Sequence, residues 1–527
     1  MAGIGLTRIK LNQADVINGA RGGRRPPTLP KLRELLKILA EVVDLNNAAA
    51  VLGWDEETYM PEGGAKARGQ QLATLERLAH IRFTSDRVGE LLTDLKRELS
   101  GADPNSDAVR LIEVTAQDYT KAIRVPPDFI GKLANLTTQS HRAWIRAKKM
   151  SDFSIFRPHL EKLVEMSKQY VSFFPKSDHP YDVLIDDSEP GMKTADLRAM
   201  FAALRPELVK LLGAIASRPQ VDNSFPHRDY DKMRQRDLGV EVITKFGFNW
   251  RRGRLDETTH PFMTSFGIGD VRIATRRVPN PGISSLFDMI HEAGHGLYQQ
   301  GANPAYERTP LNESASVAMD ESQALLWEYL VGHSLPFWEH FYPRCQKSFS
   351  PHLDSIPLMT FYRGLNRVEP SLIRTEADEV TYNLHVILRT ELEIGLLEGK
   401  ISVRDLPELW NAKMNEYLGI VPPDDARGVL QDAHWSSDQM GYFPCYTNAN
   451  LISAQLWEKI NRDIPDLSDQ IRNGRFDGLL GWLREKIYVH GRKFEPQELV
   501  KMATGSRITA EPYLRYLRQK FGQIYGL

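Results

Sequence analysis

The sequence predicts an all-α protein, a large single helical unit, and three observations carry that prediction. Apolar residues recur at helical spacing along most of the chain. Alternating strand patterns are nearly absent, and no repeat of fixed period appears. No Gly/Ser/Pro-rich segment is long enough to separate domains, although 527 residues would allow two to four.

The elements follow in order. Residues 1–29 read as a flexible tail, and the helical domain is expected over 30–527. Leu32, Leu35, Leu36, Leu39, Val42 and Val43 form one helical stripe, and a three-residue spacing runs through Leu72, Leu75, Leu78 and Ile81. The best strand is Asp270–Thr275, where Val271 and Ile273 alternate with polar or small residues. Helical spacing returns in Leu384, Ile387, Leu388, Leu392 and Leu396, and again in Leu480, Trp482, Leu483, Ile487 and Tyr488. Turns are signalled at 60–64, 101–105, 218–226 and 278–282 by Pro, Gly, Asn and Asp.

Composition excludes several function classes. Lys plus Arg number 67 against 68 for Asp plus Glu, so a phosphate-coating nucleic-acid binder is disfavoured. No run of 18 apolar residues occurs, which excludes a membrane-spanning helix. Cys345 and Cys445 are the only cysteines, so any metal must be held by His and carboxylates. They read as unpaired and non-catalytic. The tail carries Arg8, Lys10, Arg21, Arg24 and Arg25 but also Asp15 and no apolar core. It does not read as a secretory signal and fits an organellar transit peptide only weakly, so the cytoplasm is the default location.

The chemistry centres on His291-Glu292-Ala293-Gly294-His295, an H-E-x-x-H pattern within a predicted helix. Residues i and i+4 stack on one helical face, so both imidazoles can share one metal ion. Glu292 is then placed to take a proton from an attacking water. Gly294 and Gly296 each cost a helix about 1 kcal/mol relative to Ala, which suggests that another segment approaches there. A third ligand is needed, and no third His follows closely. Glu321 lies 26 residues (321 − 295) after His295 on a possible return helix. Spacing alone leaves it either a ligand or a solvated helix charge.

These residues, together with others in the same order, resemble the Taq metallocarboxypeptidase family. Glu321-Ser322-Gln323 matches its third-ligand block. Trp54-Asp55-Glu56-Glu57-Thr58-Tyr59-Met60-Pro61 resembles its N-terminal signature, and His260-Pro261-Phe262 with Asp270-Val271-Arg272 its approach to the metal helix. Ile373-Arg374 to Asp378, Gly428 to Trp435 and Gly441-Tyr442-Phe443-Pro444 resemble three further blocks. The resemblance implies a helical, deep-grooved fold with zinc at the groove floor, commonly in a homodimer. It implies one zinc ion per chain, or cobalt in its place, on His291, His295 and Glu321, with Glu292 as general base. It implies substrates that are peptides with a free C-terminal carboxylate.

His434 and Tyr442, from matching blocks, are the candidate oxyanion donors. Arg374 and Arg427 resemble the family's carboxylate-sensing arginines, with Arg272 a third candidate. Without the family, Arg374 and Arg427 would be expected to pair with Asp378 or Glu376 in a buried network, and Arg272 to orient Asp270 or the metal-motif helix. Trp54, Asp55 and Tyr59 read as core and cap elements. Asp378 and Asp432 read as supports for backbone or for His434, and His385 as a core histidine. Two positions depart from the family pattern: Asp320 stands where His is usual, and Ala274 where Thr is usual. Two further functions compete with a carboxypeptidase. One is an endo-acting helical metallo-oligopeptidase; the other is a zinc-retaining, non-catalytic peptide-binding protein.

Overall fold

The computed structural model describes residues 30–276 and 283–527. The predicted tail and the turn at 278–282 lie outside the described residues. Helices dominate throughout, and among the described residues no helix is long and apolar enough to cross a membrane.

Four helices open the chain: α1 (Pro30–Thr58), α2 (Ala65–Phe83), α3 (Asp86–Glu98) and α4 (Asp107–Arg124). Leu35 of α1, Val88, Leu91 and Leu95 of α3, and Leu111 and Ile112 of α4 bury together, with Tyr306 and Leu311 completing the cluster. This N-terminal lobe therefore has an apolar core distinct from the much larger one of the remaining chain. Ion pairs fasten α4 to the C-terminal region: Arg492 to Asp118 at 2.7 Å, Lys493 to Asp107 at 2.6 Å and Arg110 to Glu498 at 2.9 Å. A cleft of about 620 Å³ opens at that junction, lined by α4, Pro190, Gly191 and Arg492–Glu495. None of the candidate site residues lines it.

One predicted strand becomes three. β1 (Gly253–Thr258), β2 (Phe262–Ser265) and β3 (Val271–Arg276) form a sheet in the order β1-β3-β2, with β3 parallel to β1 and antiparallel to β2. The sequence did not signal β1 and β2 because neither shows a clean apolar alternation, and β2 has only four residues. Val271 and Ile273 are fully buried, and β3 lies against the metal-motif helix, Ser284–Gln300.

The end of α1 clamps the sheet. Trp54 stacks on the Arg272 guanidinium at 4.2 Å, and Phe266 lies on the same group at 4.7 Å. Asp55 binds Arg68 at 2.6 Å. Tyr59 is not a core residue: it is 60% exposed, and its hydroxyl donates to Asp256. A phenol ring on the rim tolerates water once its polar end is paired.

Candidate metal centre

The H-E-x-x-H segment forms the middle of the helix Ser284–Gln300. Facing it is the return helix Val317–Leu325, which continues as a π-helical turn over Leu326–Gly332. The close approach explains Gly294. A Cβ there would sit 2.6 Å from the Cα of Ala324 and 3.0 Å from the Gln323 carbonyl oxygen. Any side chain would push the helices apart and separate the candidate ligands they carry.

The start of the return helix is fixed from three sides. Ser316 caps it by accepting from the Met319 amide at 3.0 Å. The Val317 amide donates to the Ser188 carbonyl, and the Ala318 amide donates to the Glu189 carboxyl at 2.7 Å. Burial pushes the Glu189 carboxyl up to about 8 from its ordinary 4.5. Between those values the folded protein holds a proton that the unfolded chain has released. Stability is therefore lost as pH rises through that window and is level outside it. Asn448 donates to Glu189 at 3.4 Å, and its own Oδ1 has no partner. A Gln at 189 can donate there once the Asn448 amide is flipped. Glu189→Gln is expected to stabilise the protein at pH 8 by on the order of 1–3 kcal/mol and hardly at all at pH 5. Urea midpoints at the two pH values check this; equal midpoints for both proteins at pH 8 would refute it.

Among the described residues, His291, His295 and Glu321 form one group whose ligand atoms all lie within 4.8 Å of one another. His291 Nε2 is 3.7 Å from Glu321 Oε2. Two ligands about 2.1 Å from a tetrahedral centre stand roughly 3.4 Å apart, so the donors need only a small inward movement to hold an ion. Two imidazoles and one carboxylate suit zinc or cobalt and leave a position open.

Each imidazole has a carboxylate at its other nitrogen. Glu328, two turns beyond Glu321, meets His291 Nδ1 at 2.8 Å. Asp320 Oδ1 lies 3.1 Å from His295 Nδ1, although the ring N–H is oblique to it. Burial opposes charge on both rings, yet Glu328 holds His291 up at about 10 and Asp320 holds His295 at about 9. These partners favour the tautomer that presents Nε2 to a metal. The Asp320 departure thus falls beside a candidate ligand, His295, and outside the candidate group His291, His295 and Glu321. Glu292 is buried on the same helix, and burial raises its carboxyl to about 7. That value suits a group that must accept and return a proton near neutral pH.

The other candidates divide. Tyr442 is near enough to Glu321 and Asp320 for their charges to raise its pKa further, beyond the effect of burial. The His434 ring lies tilted against Tyr442 and Phe443, and its Nε2 is 3.2 Å from the Tyr446 hydroxyl. Burial lowers His434 to about 4, so it is neutral at pH 7.

Arg374 is almost fully buried. Its Nε and Nη2 donate to Asp432, Nη2 at 2.9 Å, and its Nη1 donates to Tyr382 at 2.9 Å. Its partner is Asp432, not the expected Asp378 or Glu376, because the chain fold brings 432 to it from 58 residues away. Asp432 also accepts from Arg389 at 2.7 Å and stands 3.9 Å from His434, so it serves the two arginines before the imidazole. Asp378 caps backbone, accepting from the Val380 and Thr381 amides.

Arg427 lies apart. It is 54% exposed and bound to Asp424 in its own turn. Arg272 is bidentate on Asp270 and stacked on Trp54, which makes it part of the clamp. The structure brings neither of these two to the metal group. His385 is fully buried, and both cysteines are buried free thiols.

Sequence reasoning missed Glu328, Tyr446, Tyr382 and Arg389. Only Glu328 had a local signal, its seven-residue spacing from Glu321 on one helical face.

A model of the carboxypeptidase Taq (M32) metallopeptidases matches residues 34–521. The chain is 38% identical to thermostable carboxypeptidase 1 of Thermus thermophilus over 504 residues, 94% of this chain and 99% of that one. It is 35% identical to thermostable carboxypeptidase 1 of Pyrococcus furiosus, covering 93% of this chain and 98% of that protein. The crystal structure of an M32 carboxypeptidase from Deinococcus radiodurans superposes with a TM-score of 0.91 at 40% identity, covering 94% of this chain and all of that one. Metallocarboxypeptidase 1 of Trypanosoma cruzi superposes at 0.88 with 30% identity, covering 93% and 99% of the two chains.

Proposed function

The chain belongs to the carboxypeptidase Taq (M32) metallopeptidase family, and from that premise we propose that it removes C-terminal residues from peptides with broad side-chain tolerance, using one zinc ion on His291, His295 and Glu321 and Glu292 as the general base. The observation that carries this reading is the convergence of those three ligand atoms within 4.8 Å beside a buried glutamate. When bound, zinc or cobalt supplies a Lewis acid that acidifies water and polarises the scissile carbonyl. Glu292 takes the proton of the attacking water and returns it to the leaving amine. In the tautomer that carries its proton on Nε2, neutral His434 is proposed to meet the developing oxyanion beside the Tyr442 hydroxyl, while its buried Nδ1 faces Asp432 at 3.9 Å.

Arg374 is the group proposed to read the substrate's terminal carboxylate. Two guanidiniums, Arg374 and Arg389, share the single carboxylate of Asp432, and Arg374 keeps one N–H unused on each Nη. Arg374→Ala is expected to lower kcat/KM on free-acid peptides roughly 100-fold, chiefly through KM. Cleavage at the wild-type rate would remove Arg374 from that role.

A peptide supplied both as free acid and as C-terminal amide tests the function. Stepwise shortening of the free acid alone supports a carboxypeptidase. Equal internal cleavage of both would indicate an oligopeptidase, and binding without turnover in metal-loaded protein a non-catalytic peptide binder. We further propose a homodimer. Val51, Leu78 and Ile81 leave apolar surface exposed on α1 and α2. Sedimentation should give twice the 60.0 kDa chain mass, and half that value for Leu78→Lys with Ile81→Lys.

A further inference from the structure

We propose that Glu393 is a positioning residue that fixes His434 and Tyr442 in their working orientation. This rests on the reading of those two side chains as the groups that face the oxyanion. Glu393 lies on the helix Tyr382–Leu397 and is fully buried. Its Oε1 accepts from Trp435 Nε1 at 2.7 Å. Its Oε2 accepts from the Gly441 amide at 3.0 Å and from the Tyr181 hydroxyl at 2.5 Å. Trp435 directly follows His434, and Gly441 directly precedes Tyr442. One carboxylate therefore holds the chain beside both groups.

The loop between them opens on a single 3₁₀ turn, His434–Ser437, and is also held where the Ser436 hydroxyl meets His141 Nδ1 at 3.0 Å and the Ser188 hydroxyl meets the Gly441 carbonyl at 3.4 Å. It passes through left-handed Asp438 (φ 58°) and Gly441 (φ 90°). A Cβ on Gly441 would come 2.7 Å from the backbone of Leu184, so the loop lies flat on the short helix Tyr181–Ile185 that supplies Tyr181. The Gln439 amide reaches the His434 carbonyl at 3.0 Å, and the Tyr442 amide reaches the Gln439 carbonyl at 3.4 Å. Burying a carboxylate here costs stability that an apolar side chain would not. Among the described residues no ion pair reaches Glu393, and Arg389, one turn back on the same helix, gives its Nε to Asp432. What the carboxylate provides is geometry: two oxygens that take three donors from three segments.

A double-mutant cycle tests this. Glu393→Gln puts an amide N–H where a donor already points, so one anchor is lost. With metal affinity unchanged, kcat is expected to fall at least tenfold, because small misplacements near the reacting atoms cost that much. In a His434→Ala/Tyr442→Phe background, the same change should cost less than twofold. A full additional loss in that background would show a general structural effect and overturn the proposal, as would wild-type kcat in Glu393→Gln alone. Should Glu393→Gln fail to fold, Trp435→Phe removes one donor while keeping an aromatic ring against Trp410. It should lower kcat severalfold in wild type and not in the double variant, and an equal loss in both would overturn the proposal. Wild-type kcat in His434→Ala/Tyr442→Phe would instead overturn the underlying reading of those two residues.

Discussion

Glu292→Gln is expected to lower kcat for free-acid peptides by roughly 10²–10⁴-fold, with bound metal and KM nearly unchanged. Gln is close to Glu in size, so the buried pocket should keep its packing. It cannot take a proton from water or deliver one to the leaving amine, so both halves of the transfer fail together. The wild-type rate should also decline on the acid side as Glu292 becomes protonated, at a pH below the value of about 7 to which burial raises it in the metal-free protein, because a bound cation lowers it. Turnover within threefold of wild type would remove Glu292 as the base.

The second large effect concerns the ligands. Glu321→Ala leaves two imidazoles alone in the group and should abolish turnover by emptying the site. The readout need not be activity. An ion that binds only the folded protein stabilises it by about 4 kcal/mol at a thousand times its dissociation constant. Adding zinc or cobalt to chelator-stripped wild type should therefore raise Tm, and Glu321→Ala should lack that rise. Asp320→Asn should retain the rise but bind metal about 10–100-fold more weakly, since it replaces the anionic partner of His295. An unchanged affinity would make Asp320 a bystander. A full metal-dependent rise in Glu321→Ala would refute the ligand assignment.

Much of the site was legible because its signals are local. The i, i+4 pair His291 and His295, with Glu292 between, needs nothing beyond a helix to share one face. Gly294 signalled a close neighbour through its helical cost, and the neighbour is Ala324. The candidate carboxylate-sensing arginines were harder to tell apart. Arg374, Arg427 and Arg272 look equivalent as residues in motifs, but a guanidinium is defined by its partners. One is buried on Asp432, one is exposed on Asp424 and one is stacked on Trp54.

The sequence by itself determined the helical class, the candidate metal-binding residues and the family, because periodicity and short motifs are written in neighbouring residues. Only the tertiary structure decided the separate core of the N-terminal lobe, the three-stranded sheet, and which carboxylate serves which side chain. Glu328 on His291, Asp432 between Arg374 and Arg389, and Glu393 under the His434–Tyr442 loop are all pairings across segments. A buried charge takes whatever partner packing brings within about 3 Å, and separation along the chain does not encode that.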